Sequence, residues 1–287
     1  MIFCVLLLSA LLNTGAAPAL EEPIQTARSQ FDSSNYAAAV RTLTNALAQS
    51  PQDSSLHYWL ARSYYEMRDY DNAVQHAEMA VKLGPQNAEY NRWLGRAYGG
   101  KAEQSHSFFL ARKVKQAFEA AVRLAPRSIE ARRDLMQYCV EAPWIVGGDK
   151  QNARKQIEAI SQLDPLQGRL ALAAYLTADK QWKAAETEYL AILDQHPSNF
   201  EAYTEAAEFF VDRKDPANLA RTLEAAARVD SHDPRLEYYH GVSLVLQHTE
   251  LSLAEQLLKS YLASVPERSN YPSHRSTMEW LRRIDSK

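Results

Sequence analysis

The sequence is short of the residues that break helices or staple folds: 287 residues contain nine glycines and two cysteines. Cys4 lies in an apolar leader and Cys139 is the one thiol beyond it, so the body of the chain forms no internal disulfide. Neither sign of charge dominates, with 32 Lys and Arg against 35 Asp and Glu and a net charge of −3. That balance excludes a strongly basic surface, and with it nucleic acid as the main partner. Motifs of bond chemistry are also missing. There is no His-Glu-x-x-His, no Cys-x-x-Cys, no phosphate-binding glycine loop and no Gly-x-Ser-x-Gly elbow. Gly147-Gly148-Asp149-Lys150 lacks the preceding strand and further glycines of a phosphate site and reads as a turn. His232, His240 and His248 recur every eight residues but do not converge on one metal. The sequence predicts no enzyme activity, no cofactor and no metal.

What is present is apolar and helical. At 46% hydrophobic and 23% charged, the chain has enough apolar side chains for a sizeable core. Scarce glycine and abundant alanine favour helix over sheet. One long apolar run, Met1 to Leu12, precedes the first charge at Glu21 and is too short to cross a bilayer. It has the shape of a secretory signal without the usual basic start. Residues 1–19 are therefore expected to be a signal peptide cleaved after Ala16 or Ala19, which predicts a periplasmic or secreted protein.

The rest of the chain repeats. Trp59-Leu60-Ala61-Arg62-Ser63-Tyr64-Tyr65 is echoed 34 residues later by Trp93-Leu94-Gly95-Arg96-Ala97-Tyr98. Between them lie Asp69-Tyr70-Asp71-Asn72-Ala73 and Ala80-Val81-Lys82-Leu83-Gly84-Pro85. Each unit reads as two amphipathic helices. Small residues (Ala27, Ala61, Gly95; Ala39, Ala73, Ala185) stand where backbones must approach, and Pro51, Pro85, Pro126, Pro165, Pro197 and Pro266 each end a second helix.

This pattern resembles the tetratricopeptide repeat family. The resemblance implies an all-α fold, a right-handed superhelix of seven helical hairpins at about 20–53, 54–87, 88–128, 129–165, 166–199, 200–234 and 235–268. A capping helix at 273–284 would cover the last apolar face. It also implies a scaffold that binds a protein or peptide in its concave groove, without catalysis.

Two units depart from the period: Pro85 to Pro126 spans 41 residues and Pro126 to Pro165 spans 39. Both insertions are expected in the turn between the helices of their unit, side by side on one edge. The first carries Gly99-Gly100 and Phe108-Phe109; the second carries Trp144-Ile145 and Gly147-Gly148. Phe108, Phe109, Trp144 and Ile145 would either form an exposed edge interface or pack on one another and close the edge.

Arg28, Arg62 and Arg96 also stand 34 apart, each directly after the small packing residue. In the family the first helices line the groove, so these arginines should project inward. Arg92 and Arg133, at a shared position of their units, and Tyr65, three residues after Arg62, should lie on the same surface. Five guanidinium groups along one groove, flanked by Tyr65, suit an extended acidic peptide or a free C-terminus. The competing possibility is local pairing of Arg62 with Glu66, Arg92 with Glu89 and Arg133 with Glu130. Glu201, Thr204 and Glu208 make the downstream groove acidic or neutral. An alternative function is a structural or assembly subunit of a cell-envelope complex, joined through the edge or the repeat ends.

Overall fold

A computed structural model describes residues 17–285; the proposed signal peptide lies, up to residue 16, outside the described residues. Among the described residues there are fifteen α-helices and no strand. Seven antiparallel hairpins follow one another: α1 (Ala17–Asp32) with α2 (Tyr36–Gln49), α3 (Ser54–Glu66) with α4 (Tyr70–Leu83), and α5 (Ala88–Ser105) with α6 (Phe108–Leu124). Then come α7 (Ile129–Glu141) with α8 (Lys150–Leu163), α9 (Pro165–Ala178) with α10 (Trp182–Leu193), α11 (Phe200–Arg213) with α12 (Pro216–Val229), and α13 (Arg235–Gln247) with α14 (Leu251–Ser264). A final α15 (His274–Asp285) packs on α13 and α14.

Short polar side chains start these helices. Asn35, Asp53, Asp69, Asn87, Ser107, Ser128, Asp149, Asp164, Asn199 and Asp215 each accept a backbone N–H from the first turn of the helix they precede. The hairpin turn has its own signature, a left-handed residue that is rarely glycine. Ser34, Arg68, His106, Lys180, Lys214 and His248 all take φ between 51° and 61° there, and Gly147 takes 110°. A short turn with one left-handed residue folds the second helix back on the first in most of the hairpins; α13 and α14 are joined through two, His248 and Glu250.

Packing turns the hairpins into a solenoid. Each first helix touches the first helix of the next repeat, while the second helices make little or no contact with one another. The first helices are therefore closer together, and the chain curves with them on the inside. The core follows the chain in three merging clusters: Leu43, Leu56 and Leu60 upstream, Leu135, Met136 and Ile160 in the middle, and Leu170, Phe210, Leu219 and Tyr261 downstream. Tyr64 and Leu176 join successive clusters.

One expectation fails at the third repeat. The first insertion is not a turn: α5 runs unbroken through Gly99-Gly100 to Ser105, and α6 is comparably long. Tight packing explains the glycine. A Cβ on Gly100 would stand 2.4 Å from a ring carbon of Tyr70, so only glycine lets the lengthened helix pass that ring. The second insertion is a loop with a 3-10 turn at Trp144–Val146.

Candidate functional site

The upstream inner wall is built from α1, α3 and α5. Arg62 lies at its centre, its guanidinium carbon 4.6 Å from the Phe31 ring, 4.4 Å from Trp59 and 4.8 Å from Trp93. Those three rings come from three successive first helices. One Nη of Arg62 donates to the Tyr58 hydroxyl at 3.3 Å, and its Nε is buried without a partner. The alternative local pair with Glu66 does not form; Glu66 instead accepts from Ser269. Arg28 is exposed and stands 5.6 Å over Trp59. Neither Arg28 nor Arg62 meets a carboxylate among the described residues.

The other arginines of the series are committed internally. Arg92 donates to Asp134 at 2.8 Å and to Glu89, while Arg96 grips both oxygens of Asp134 at 2.9 and 3.0 Å. Burial works against the Arg96 charge, but hydrogen bonding and attraction to Asp134 outweigh it and raise its pKa. Tyr65 packs edge-on against Trp93 and Tyr70, and burial raises its hydroxyl pKa. Arg133 passes over Glu130 and reaches Glu205 at 2.8 Å and Gln167 at 3.2 Å. Five of the six side chains thus lie in or beside one continuous patch around Trp59, Trp93 and Asp134, and Arg133 stands apart from it, facing downstream. Phe31, Tyr58, Trp59, Trp93 and Asp134 belong to the same wall. The tryptophan three places before Arg62 and again before Arg96 was the available signal for Trp59 and Trp93.

Downstream the wall changes sign. Glu205, Glu208 and Asp212 lie along α11 beside Tyr189, Phe209 and Tyr239. Burial raises the pKa of all three carboxylates; repulsion from Asp212 and Glu205 adds to it at Glu208, while Arg133 offsets part of the effect at Glu205 and Arg213 part of it at Asp212.

The edge is open. Phe108 and Phe109 are each 69% exposed, Trp144 84% and Ile145 51%, so the four do not pack into a closed cluster. The two insertions do adjoin one another: Arg112 donates to the Ile145 carbonyl at 3.2 Å, and the Tyr138 hydroxyl bridges the carbonyls of Ala111 and Val146. Beneath them is an apolar hollow of about 600 Å³ lined by Phe108, Ala111, Val114, Tyr138, Pro143 and Val146. Cys139 is buried, and burial pushes its thiol up to about 11, which leaves it unreactive. Among the described residues no group of three or more His, Cys, Asp or Glu side chains is arranged to hold a metal, and no helix is long and apolar enough to cross a membrane.

Residues 24–98, the segment that carries Phe31, Trp59, Arg62 and Trp93, match the family model for the tetratricopeptide repeat. Residues 24–98 are tetratricopeptide repeats, and the chain has the helical-hairpin fold of such proteins. Solved structures share the fold over much greater lengths. A tetratricopeptide repeat protein from Parabacteroides merdae superposes with a TM-score of 0.61 at 14% identity, covering 93% of this chain and 99% of its own. A thermophilic tetratricopeptide repeat protein of Thermus thermophilus gives 0.54 at 19% identity, covering 67% and 99%. The pilF protein of Pseudomonas aeruginosa gives 0.52 at 17%, covering 77% and 96%. At these identities the likeness is one of fold. Among curated proteins none matches the chain. Tetratricopeptide repeats form a scaffold for protein interaction, presenting an extended concave surface.

Proposed function

We propose that this helical-repeat protein holds a peptide segment of a protein partner in its concave groove and performs no bond chemistry itself. The observation that carries the reading is the Arg62 cluster: three rings from three repeats gather around one guanidinium that has no carboxylate among the described residues. Aromatic and arginine side chains held rigidly at the centre of a surface are the usual anchors of protein recognition. Arg28 and Arg62 are the two members of the series with charge left to offer, so an acidic side chain or a free C-terminal carboxylate belongs over them. Arg92, Arg96 and Tyr65 act as the rigid floor. Residues 1–19 export the chain to the periplasm or the cell exterior, which cell fractionation tests.

The test is a library of decapeptides with free C-termini, screened against the full chain. Selected peptides are expected to carry an acidic or unblocked end, to change the fluorescence of Trp59 and Trp93, and to bind about tenfold more weakly after Arg28→Gln with Arg62→Gln. Unchanged binding by that double variant sinks the reading.

The exposed edge favours a second role, assembly into a cell-envelope complex through Phe108, Phe109, Trp144 and Ile145. Such an association should persist in high salt and fail in Trp144→Ala, measured by sedimentation; groove binding should weaken as salt rises.

A further inference from the structure

The downstream concave face is built for a charge opposite to that expected upstream. Glu205, Glu208 and Asp212 follow one another at helical spacing along α11 and wall two adjoining cavities. The cavity of about 460 Å³ also takes in Glu141, Tyr189 and Phe209, and the one of about 520 Å³ takes in Tyr238, Tyr239 and Trp280; Glu208 and Asp212 border both. Arg133 neutralises Glu205, and Gln137 donates to Glu141. Glu208 and Asp212 have no ion-pair or hydrogen-bond partner among the described residues; nearby Arg213 instead stacks over Trp182 at 4.7 Å. Lys214 stands exposed at the rim of the larger cavity, and Arg283 lies over Trp280 at 4.0 Å.

A second feature is independent of the carboxylates. Tyr239 is 5% exposed, borders the larger cavity, and its hydroxyl makes no hydrogen bond with any described residue. The ring is held in the core while the hydroxyl opens to the cavity, where a bound group would replace water as its hydrogen-bond partner. Tyrosine rings beside uncompensated carboxylates make a receptor for an ammonium or guanidinium, which gains from both the charge and the ring faces.

We propose that the concave face from α7 to α13 binds a basic segment of a protein partner, whose lysine or arginine side chains enter the two cavities and pair with Glu208 and Asp212 while the Tyr239 hydroxyl hydrogen-bonds to the bound segment. Charge complementarity selects this occupant. Side chains two apart on an extended segment lie about 7 Å from one another, a reach suited to two cavities that share a wall. The inference rests on the groove reading given above and adds the chemistry of its downstream half.

The experiment uses the full chain and a labelled peptide of four arginines spaced by Gly-Ser, with the glutamate counterpart as control, read by anisotropy at low salt. The arginine peptide is expected to bind. Glu208→Gln with Asp212→Asn should weaken it by about tenfold or more, and Tyr239→Phe by about threefold, with helical circular dichroism unchanged. Binding of carboxylate-ended peptides at Arg28 and Arg62 should be unaffected by either variant. Equal binding of the arginine peptide by the double variant overturns the proposal, as does displacement by an equal concentration of spermidine, which would make the site one for a small polycation. If the arginine peptide fails while carboxylate-ended peptides bind, the downstream inference falls alone; if both fail, the groove reading falls with it.

Discussion

Glu66 accepts both the backbone N–H and the hydroxyl of Ser269, at 3.1 and 2.8 Å, across 203 residues of sequence. Arg68 and Glu267 stand 3.9 Å apart beside them. The segment between α14 and α15 thus returns to the hairpin turn of the second repeat, and the curved chain meets itself. These contacts are exposed, so each contributes about 1 kcal/mol or less. Glu66→Ala should lower the unfolding temperature by no more than about 3 °C. It should nonetheless broaden the distance distribution between nitroxide labels at Gln75 and Asn270. An unchanged distribution would mean that packing of α15, and not this clasp, sets the closure.

Asp134 is a different kind of contact. It is 15% exposed in its side chain and receives three hydrogen bonds from Arg92 and Arg96, which are 14% and 31% exposed. Asp134→Asn keeps the shape and leaves two neighbouring guanidinium groups without their shared anion, at a cost of about 3 kcal/mol in urea unfolding. The exposed pair of Arg275 and Glu279 supplies the contrast, since Glu279→Gln should change stability by less than about 0.5 kcal/mol. Equal effects at the two sites would show that Asp134 is not the anchor of the upstream wall.

The equivalent positions of Arg28, Arg62 and Arg96 on successive first helices were legible because a helix fixes which face a residue occupies, and a fixed 34-residue period carries that face from one repeat to the next. Partners across repeats were not. Arg133 bypasses Glu130 for Glu205, 72 residues on, because the curvature of the superhelix brings α7 and α11 together and no local spacing encodes that approach. Arg62 likewise exchanges Glu66 for three rings, which bury it more fully than an exposed carboxylate would. Gly99-Gly100 reads as a turn from propensity alone. Contact with Tyr70 overrides that preference, and the helix continues.

Those two glycines give opposite predictions from adjacent positions. A Cβ on Gly99 meets nothing within 4 Å, so Gly99→Ala should stabilise the chain by about 0.5–1 kcal/mol through helix propensity. At Gly100 the same methyl would press into the Tyr70 ring, and Gly100→Ala should destabilise by about 1–3 kcal/mol. Thermal unfolding of the two single variants distinguishes the cases. A stabilising Gly100→Ala would mean that Tyr70 moves aside at no cost.

His57 and His76 share a hydrogen bond between their Nδ1 atoms at 2.9 Å, and His76 also stacks on Tyr64. The Nε2 of His57 lies 3.3 Å from the Pro51 carbonyl, which suits a proton on that nitrogen and leaves His57 Nδ1 to accept from His76. Burial and then the neighbouring His57 lower the His76 pKa from 6.5 to about 4. The unfolded chain therefore binds a proton near pH 6.5 that the folded chain refuses until about pH 4. Stability from this pair is full above pH 6.5 and is lost as the pH falls toward 4, a loss on the order of 1–2 kcal/mol once partial exposure of His76 is discounted. His76→Gln should flatten the dependence of the urea midpoint on pH across that interval while leaving the midpoint near pH 8 within about 1 kcal/mol of the parent. A variant whose midpoint falls as steeply as the parent's would place the acid sensitivity elsewhere in the solenoid.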